Sequence, residues 1–138
     1  MSICVASAVA AINLAGSAFM LSWTHSVERV EWQEQWRVSG AQLQLESARV
    51  KGSGAGMEPP PDATWRDGWW SYPSHLPPQR EVWLAVSGAT VDGWRLCPVG
   101  GGCVEIEKLA AGGQPIDRLR LSAGPRCEPL EPSPSPSR

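Results

Sequence analysis

The sequence has no excess of basic residues and no basic stripe. Its 138 residues carry 12 Lys and Arg against 14 Asp and Glu, which gives a formal net charge of −2. The arginines stand singly along the chain. Because proteins that bind nucleic acid neutralise phosphates with clustered basic side chains, this composition argues against a nucleic-acid partner. An internal repeat is also lacking, and the length allows one domain with a single core.

The motifs of common enzyme classes are missing as well. The glycine-rich stretch Gly52–Gly56 lacks the Lys-Ser/Thr pair of a phosphate-binding loop, and no helical pattern follows it. It favours a close approach of the backbone to a neighbour, and a backbone-lined pocket for an anion or carboxylate stays open. No Gly-x-Ser-x-Gly elbow occurs, and His25 and Ser26 would point to opposite faces of a strand. We therefore expect no cofactor and no metal, since His75 on a proline-rich loop is weak support for a zinc site.

Residues 2–21 contain no charged side chain. An apolar segment followed by the small residues Gly16, Ser17 and Ala18 is typical of a secretory signal, although no Lys or Arg precedes it. About 20 strongly apolar residues are needed to span a membrane, and Asn13 weakens that interpretation. We predict that residues 1–18 are a signal peptide or an N-terminal membrane segment. A buried N-terminal segment is the third possibility.

Alternation of apolar and polar residues with a period of two runs through most of the remaining chain. Three such segments in succession predict an antiparallel meander, and Asp67-Gly68 predicts a tight hairpin turn. Since no segment after residue 22 shows a helical stripe, we predict an all-β fold. It would be a small antiparallel β-sandwich or partly open barrel of about seven to eight short strands. This single β domain would span residues 19–124, before a disordered Pro/Ser-rich tail at residues 125–138. The predicted strands are residues 19–23, 30–39, 43–50, the two arms of 63–72, 82–86 as a central strand, 94–97, 103–107 and 117–122.

His25 and Glu34 are the polar members of two otherwise apolar rows. In extended chain, Glu34 shares one strand face with Trp32 and Trp36. A carboxylate on a core-facing position needs a partner, so we predict that Glu34 and His25 form a hydrogen bond. Glu28 would lie in the exposed turn between the two strands.

The four cysteines suit an oxidising compartment. Cys97 and Cys103 flank a glycine-rich loop of five residues, and a disulfide between them is the main expectation. The rival pairing joins one of them to Cys127, and the spacing is also compatible with free thiols or a metal site. If Cys4 left with a signal peptide, one of the three remaining cysteines would stay unpaired.

Eight tryptophans stand against one Tyr and one Phe. Trp65, Trp69, Trp70 and Tyr72 are too many large rings for one short hairpin to bury alone. Some of them must pack on the main sheet, and others could line a surface for a ligand or partner. Trp69 and Trp70 are the candidates for such a surface.

The stretches THSVERVEW, GSGAGMEPP and RDGWWSY resemble the bacterial family called domain of unknown function 1850, over roughly residues 19–97. In that family the gene commonly sits beside a TRAP-type solute transporter of the TAXI class. The resemblance implies a small exported or membrane-attached accessory protein without an established activity. The family pattern falls on His25, Ser26, Glu28, Glu34, Gly54, Ala55 and Gly56.

From the resemblance we expect an extracytoplasmic accessory or binding protein, periplasmic or membrane-anchored facing the periplasm, whose partners are subunits of a TAXI-type TRAP transporter. Membrane attachment would run through the N-terminus. The alternative is a small hydrolytic enzyme that uses His25 with Glu34 or Glu28.

Overall fold

Period-two alternation produces strands throughout the structure, which is a computed structural model that describes residues 1–24, 30–52, 61–86 and 93–131. In these ranges the chain forms ten strands and one short helix. The strands are β1 (Ser2–Ala6), β2 (Ala11–Ala15), β3 (Ala18–Thr24), β4 (Glu31–Ser39), β5 (Gln42–Lys51), β6 (Thr64–Arg66), β7 (Trp69–Pro73), β8 (Glu81–Ala85), β9 (Arg95–Pro98) and β10 (Arg118–Ala123), and the helix is α1 (Ile106–Ala111).

Two antiparallel sheets face each other. The smaller sheet has the strand order β2-β1-β10-β8, and the larger has the order β6-β7-β5-β4-β3-β9. Alternate residues of each strand point into the space between the sheets, where the main core collects fully buried side chains such as Ile3, Phe19, Leu21 and Leu121. Neither sheet closes on itself. The predicted all-β sandwich is therefore confirmed.

The predicted meander and hairpin are present. Strands β3, β4 and β5 are consecutive antiparallel neighbours, with Leu21 opposite Glu34 and Glu34 opposite Ala48. The turn between β6 and β7 places Asp67 at φ 52° and Gly68 at φ 86°, the positive values that a two-residue hairpin of this kind requires. A register shift between Gln35 and Trp36 adds a β-bulge to the β4–β5 pair.

Two predicted elements are wrong. Residues 82–86 resemble a central strand because they form a continuous apolar run, but β8 is the edge of the smaller sheet and leaves Trp83 exposed. Residues 103–107 do not form the strand predicted beside β9, because Val104 makes an isolated bridge with Leu96 and α1 begins two residues later. The helix buries Ile106 and Ala110 on one side. Six residues are too few for that spacing to stand out in the sequence.

The N-terminal segment forms part of the smaller sheet. Strand β1 lies between β2 and β10, and Ile3 and Val5 are fully buried in the core. The part of the chain that the structure describes contains no helix long and apolar enough to cross a membrane. Removal of residues 1–18 in the cell stays a prediction, and it would take both β1 and β2 away.

Two disulfides join the four cysteines. Cys97 bonds Cys103, as predicted, and Cys4 bonds Cys127, with 123 residues of sequence separation. Of the predicted tail, residues 125–131 are described. Within them Leu130 is buried beside Cys4, and its amide donates a hydrogen bond to the Ser7 carbonyl at 2.7 Å. Residues 132–138 lie outside the described residues.

The two disulfides should differ in their effect on stability. In the chain-entropy description a cross-link stabilises more when its loop is longer, by about 5 kcal/mol for the Cys4–Cys127 loop and about 2 kcal/mol for the Cys97–Cys103 loop. We expect the double variant Cys4→Ser/Cys127→Ser to lose more free energy of unfolding than Cys97→Ser/Cys103→Ser, as measured by urea denaturation. Peptide mapping without reduction is the control, and an alkylatable Cys127 thiol in the mature protein would contradict the long-range pairing.

Candidate functional site

A cleft of about 490 Å³ opens between the two sheets on the side of β8. We call it the tryptophan cleft. Both sheets and the connections before and after β8 contribute to it. Its lining residues are Trp23, Glu34, Trp36, Leu45, Leu76, Gln79, Glu81, Val82, Trp83, Leu84 and Trp94.

Glu34 supplies a carboxyl group to an otherwise apolar row. The alternation of β4 turns Trp32, Glu34 and Trp36 to the inner side of the larger sheet. Trp36 is only 4% exposed, stacks on Phe19 with the ring planes 6° apart, and donates its indole N–H to Glu34 Oε1 at 3.1 Å. The packed ring therefore holds the carboxyl group in one orientation.

The surroundings of Glu34 favour its neutral form. Burial raises the pKa of the Glu34 carboxyl above its ordinary value of 4.5, and the hydrogen bond from Trp36 lowers it in part. Tyr72 lies in register with Glu34 across Ala48. Burial raises the pKa of the Tyr72 hydroxyl, and the negative charge of Glu34 raises it further.

Neighbouring indoles, Trp23 and Trp94, form one wall of the tryptophan cleft. The ring centroid of Trp23 lies 4.6 Å from that of Trp94 and 5.9 Å from that of Trp32. Trp94 is fixed at both ends, because its indole N–H donates to the Ala85 carbonyl at 2.9 Å and its amide donates to Glu107 Oε1 at 3.3 Å. The strand end of β8 and the helix α1 thus position this ring.

Strand β8 and the chain before it form the opposite wall. Trp83 is 47% exposed, and the guanidinium of Arg118 lies 4.7 Å from its ring centroid. The chain before β8 is tied to β5 by two backbone hydrogen bonds between Leu43 and Gln79, at 2.7 and 2.8 Å. These bonds hold Gln79 at the border of the cleft.

The lining of the cleft is acidic. Glu34 and Glu81 contribute carboxyl groups, while the lining residues in the described ranges include no Lys, Arg or His. Arg120 lies next to the cleft, with its Nη1 atom 4.0 Å from Glu81 Oε2. The charge of Glu81 is therefore partly balanced, and that of Glu34 is not balanced by a described cation.

Other depressions are built differently. The largest, of about 860 Å³, is lined by the turn between β4 and β5 together with Arg80 and Arg126. Most of its lining residues are exposed turn residues. The tryptophan cleft instead combines four indole rings, of which that of Trp36 is buried, with a hydrogen-bonded carboxyl group, which is the composition of small-molecule sites.

Only some of the predicted site residues can be placed. Glu34 lies in the tryptophan cleft, whereas Trp69 and Trp70 lie on opposite faces of β7 and do not line it. The ring of Trp69 packs under the guanidinium of Arg49 at 4.2 Å, and Trp70 meets Trp65 edge to face at 5.2 Å. The other predicted site residues lie outside the described residues, so the bond between His25 and Glu34 stays a prediction. They are His25, Ser26, Glu28, Gly54, Ala55 and Gly56.

Four tryptophans of the cleft were not among the predicted site residues. Trp23 and Trp36 lie on the predicted inner faces of their strands, so the alternation pointed toward them. Trp83 and Trp94 come from separate segments that meet only through the packing of the two sheets. The abundance of tryptophan was the one feature of the sequence that indicated such a cluster of rings.

Carboxyl groups and indole rings determine what the cleft can do. Indole faces stack on apolar and cationic groups, and a carboxyl group accepts or donates a hydrogen bond according to its protonation. Among the described residues no group of three or more His, Cys, Asp or Glu side chains is placed to hold a metal ion. His75 lies on an exposed loop, where its Nε2 is 2.7 Å from Asp62 Oδ2.

Comparison with known proteins identifies a family for this fold. The sequence model of the Domain of unknown function (DUF1850) matches residues 19–106, which is more than half of the chain. The chain belongs to this family. No curated protein and no solved structure matches it. All lining residues of the tryptophan cleft lie in the DUF1850 match, while β1, β2 and β10 lie outside it.

Glu34 should make the stability of this DUF1850 protein depend on pH. Its pKa is raised on folding, so between the unfolded and folded pKa values the folded protein holds more protons than the unfolded chain. The stabilisation is complete below the ordinary pKa of 4.5 and is lost as the pH rises through the folded pKa. Glu34→Gln keeps the acceptor for Trp36 and should flatten this dependence in thermal melts at a series of pH values.

Glu46→Gln is the matched control, because it removes one negative charge from the exposed side of β5. If Glu34→Gln and the unaltered protein lost stability in parallel as the pH rose, Glu34 would not be the buried group described here.

Proposed function

We propose that this DUF1850 protein is an extracytoplasmic binding protein that holds a small organic ligand in the tryptophan cleft and serves a TAXI-type TRAP transporter. The observation that carries the binding role is the cleft itself. Its volume of about 490 Å³ is in the range of small-molecule sites, which bury most of a ligand among apolar and aromatic side chains. The carboxyl group that Trp36 orients supplies the polar contact such sites use for specificity.

The transporter role draws its support from the family. A gene that commonly stands beside a TAXI-type transporter suggests a protein that works on the same solute or the same complex. The match to the family model contains all described lining residues of the tryptophan cleft, which supports a role of the cleft that is shared within the family. Two disulfides are compatible with an oxidising compartment, and location in the periplasm, with or without attachment at the N-terminus, is part of this proposal.

We favour binding over hydrolysis. Its described lining supplies rings and carboxyl groups that suit the retention of a ligand. The hydrolase hypothesis combines Glu34 with His25 or Glu28, and these last two residues lie outside the described residues. It therefore stays a hypothesis, and the binding role rests on groups whose positions are described.

Capture from cell envelopes tests the transporter role. A tagged copy of the full chain, expressed in a bacterium that carries the transporter, should co-purify with TAXI-type TRAP subunits identified by mass spectrometry. A tagged unrelated periplasmic protein is the control. Recovery of the tagged protein without those subunits, after mild cross-linking, would contradict the association.

A pair of tryptophan variants tests the binding role. Trp83 and Trp65 are 47% and 53% exposed, so replacement of either by Ala should affect the fold similarly and mildly, by about 1 kcal/mol. Trp83 lines the cleft and Trp65 does not. Native mass spectrometry of protein purified from envelopes should show a bound small molecule that Trp83→Ala loses and Trp65→Ala keeps. Equal retention by both variants would place the ligand elsewhere.

A further inference from the structure

We propose that the ligand of the tryptophan cleft is an organic cation, an amine or quaternary ammonium group that carries an apolar portion. The inference rests on the proposed function of the cleft as a ligand site and names the class of ligand. It stands on two features that occur together, the acidic lining and the indole faces.

The charge of the lining residues determines which sign of charge on a ligand the cleft favours. Glu34 and Glu81 both line the cleft, and Glu34 has no described cation beside it. At a pH above the raised pKa of Glu34, an anionic ligand would meet two carboxylates in a partly desolvated space, where like charges repel strongly. The described lining offers no Lys, Arg or His to offset that repulsion. A cation would instead give the Glu34 carboxylate a partner of opposite charge, which no described residue supplies.

The indole rings of the cleft also favour a ligand of positive charge. Indole faces attract cations through their electron density, and tryptophan does so more strongly than tyrosine or phenylalanine. Trp23, Trp36, Trp83 and Trp94 surround the cleft. The structure already contains such contacts, because Arg118 lies over the ring of the cleft residue Trp83 and Arg49 lies over that of Trp69 outside the cleft. Such a set of rings with a carboxyl group is how proteins hold ammonium ligands.

Binding should release a proton from Glu34. In the empty cleft burial raises the pKa of the Glu34 carboxyl group. A bound cation favours the carboxylate, so affinity for the cation should rise as the pH passes through the pKa of Glu34. Among the described residues, the groups next to Glu34 are the Trp36 N–H, the Tyr72 side chain across Ala48 and Leu21 on β3, and Glu81 on β8 lines the same cleft.

Three small molecules of nearly the same shape separate charge from size. They are choline, the neutral 3,3-dimethyl-1-butanol and the anionic 3,3-dimethylbutanoate, each titrated into the full chain while tryptophan fluorescence and heat are recorded. We expect choline to bind about tenfold more tightly than the alcohol at about pH 7.5, and the anion to bind most weakly. Glu34→Gln should weaken choline binding about tenfold and change alcohol binding by less than about twofold.

Trp83→Ala is the second variant and Trp65→Ala its control, since both positions are half-exposed and only Trp83 lines the cleft. Trp83→Ala should weaken choline binding, and Trp65→Ala should leave it unchanged. Equal affinity for choline and the alcohol, with no effect of Glu34→Gln, would reject the proposal that the ligand is a cation and would leave the proposed function unaffected. Binding of the anion more tightly than of choline and the alcohol would also reject the proposal that the ligand is a cation. If none of the three molecules binds, the proposal that the ligand is a cation is rejected. The proposed function is then decided separately, by whether the small molecule purified with the protein is lost from Trp83→Ala and kept by Trp65→Ala.

Discussion

Glu34 lies on the inner face of β4 between two tryptophans, and its hydrogen bond from the Trp36 indole is the contact on which the site depends. A carboxyl group in such surroundings costs free energy unless it is neutral or paired. Trp36 satisfies one oxygen and fixes the orientation of the group, while burial keeps its pKa high. The result is a polar group that is oriented before any ligand arrives and that gains most from a partner of positive charge.

The two sheets create the space around this carboxyl group. The larger sheet has six strands and the smaller has four, and β8 forms the edge of the smaller sheet beside the cleft. Hydrogen bonds from Trp94 to the end of β8, and between Leu43 and Gln79, fix the borders of the opening. The disulfide from Cys4 to Cys127 ties the segment after β10 to β1, beside the buried Leu130.

The sequence predicted local pairing well and long-range packing poorly. Alternation located the meander of β3, β4 and β5, and Asp67-Gly68 located a hairpin, because both signals act between neighbours in the chain. It also placed Glu34 on an apolar face. The approach of Trp83 and Trp94 to Glu34 depends on how the sheets stack, and no local pattern encodes that. The strands β1 and β2 were missed because an uncharged N-terminal segment has the composition of a signal peptide.

Titration of the Glu34 carboxyl carbon by nuclear magnetic resonance tests the central claim most directly. The protein is labelled with ¹³C at glutamate, and Glu34→Gln assigns the signal. We predict a midpoint above 4.5 in the free protein and a lower midpoint when choline is present, because the cation stabilises the carboxylate. A midpoint at or below 4.5 in the free protein, or one that choline leaves unchanged, would contradict the claim that a buried carboxyl group in the tryptophan cleft binds the ligand.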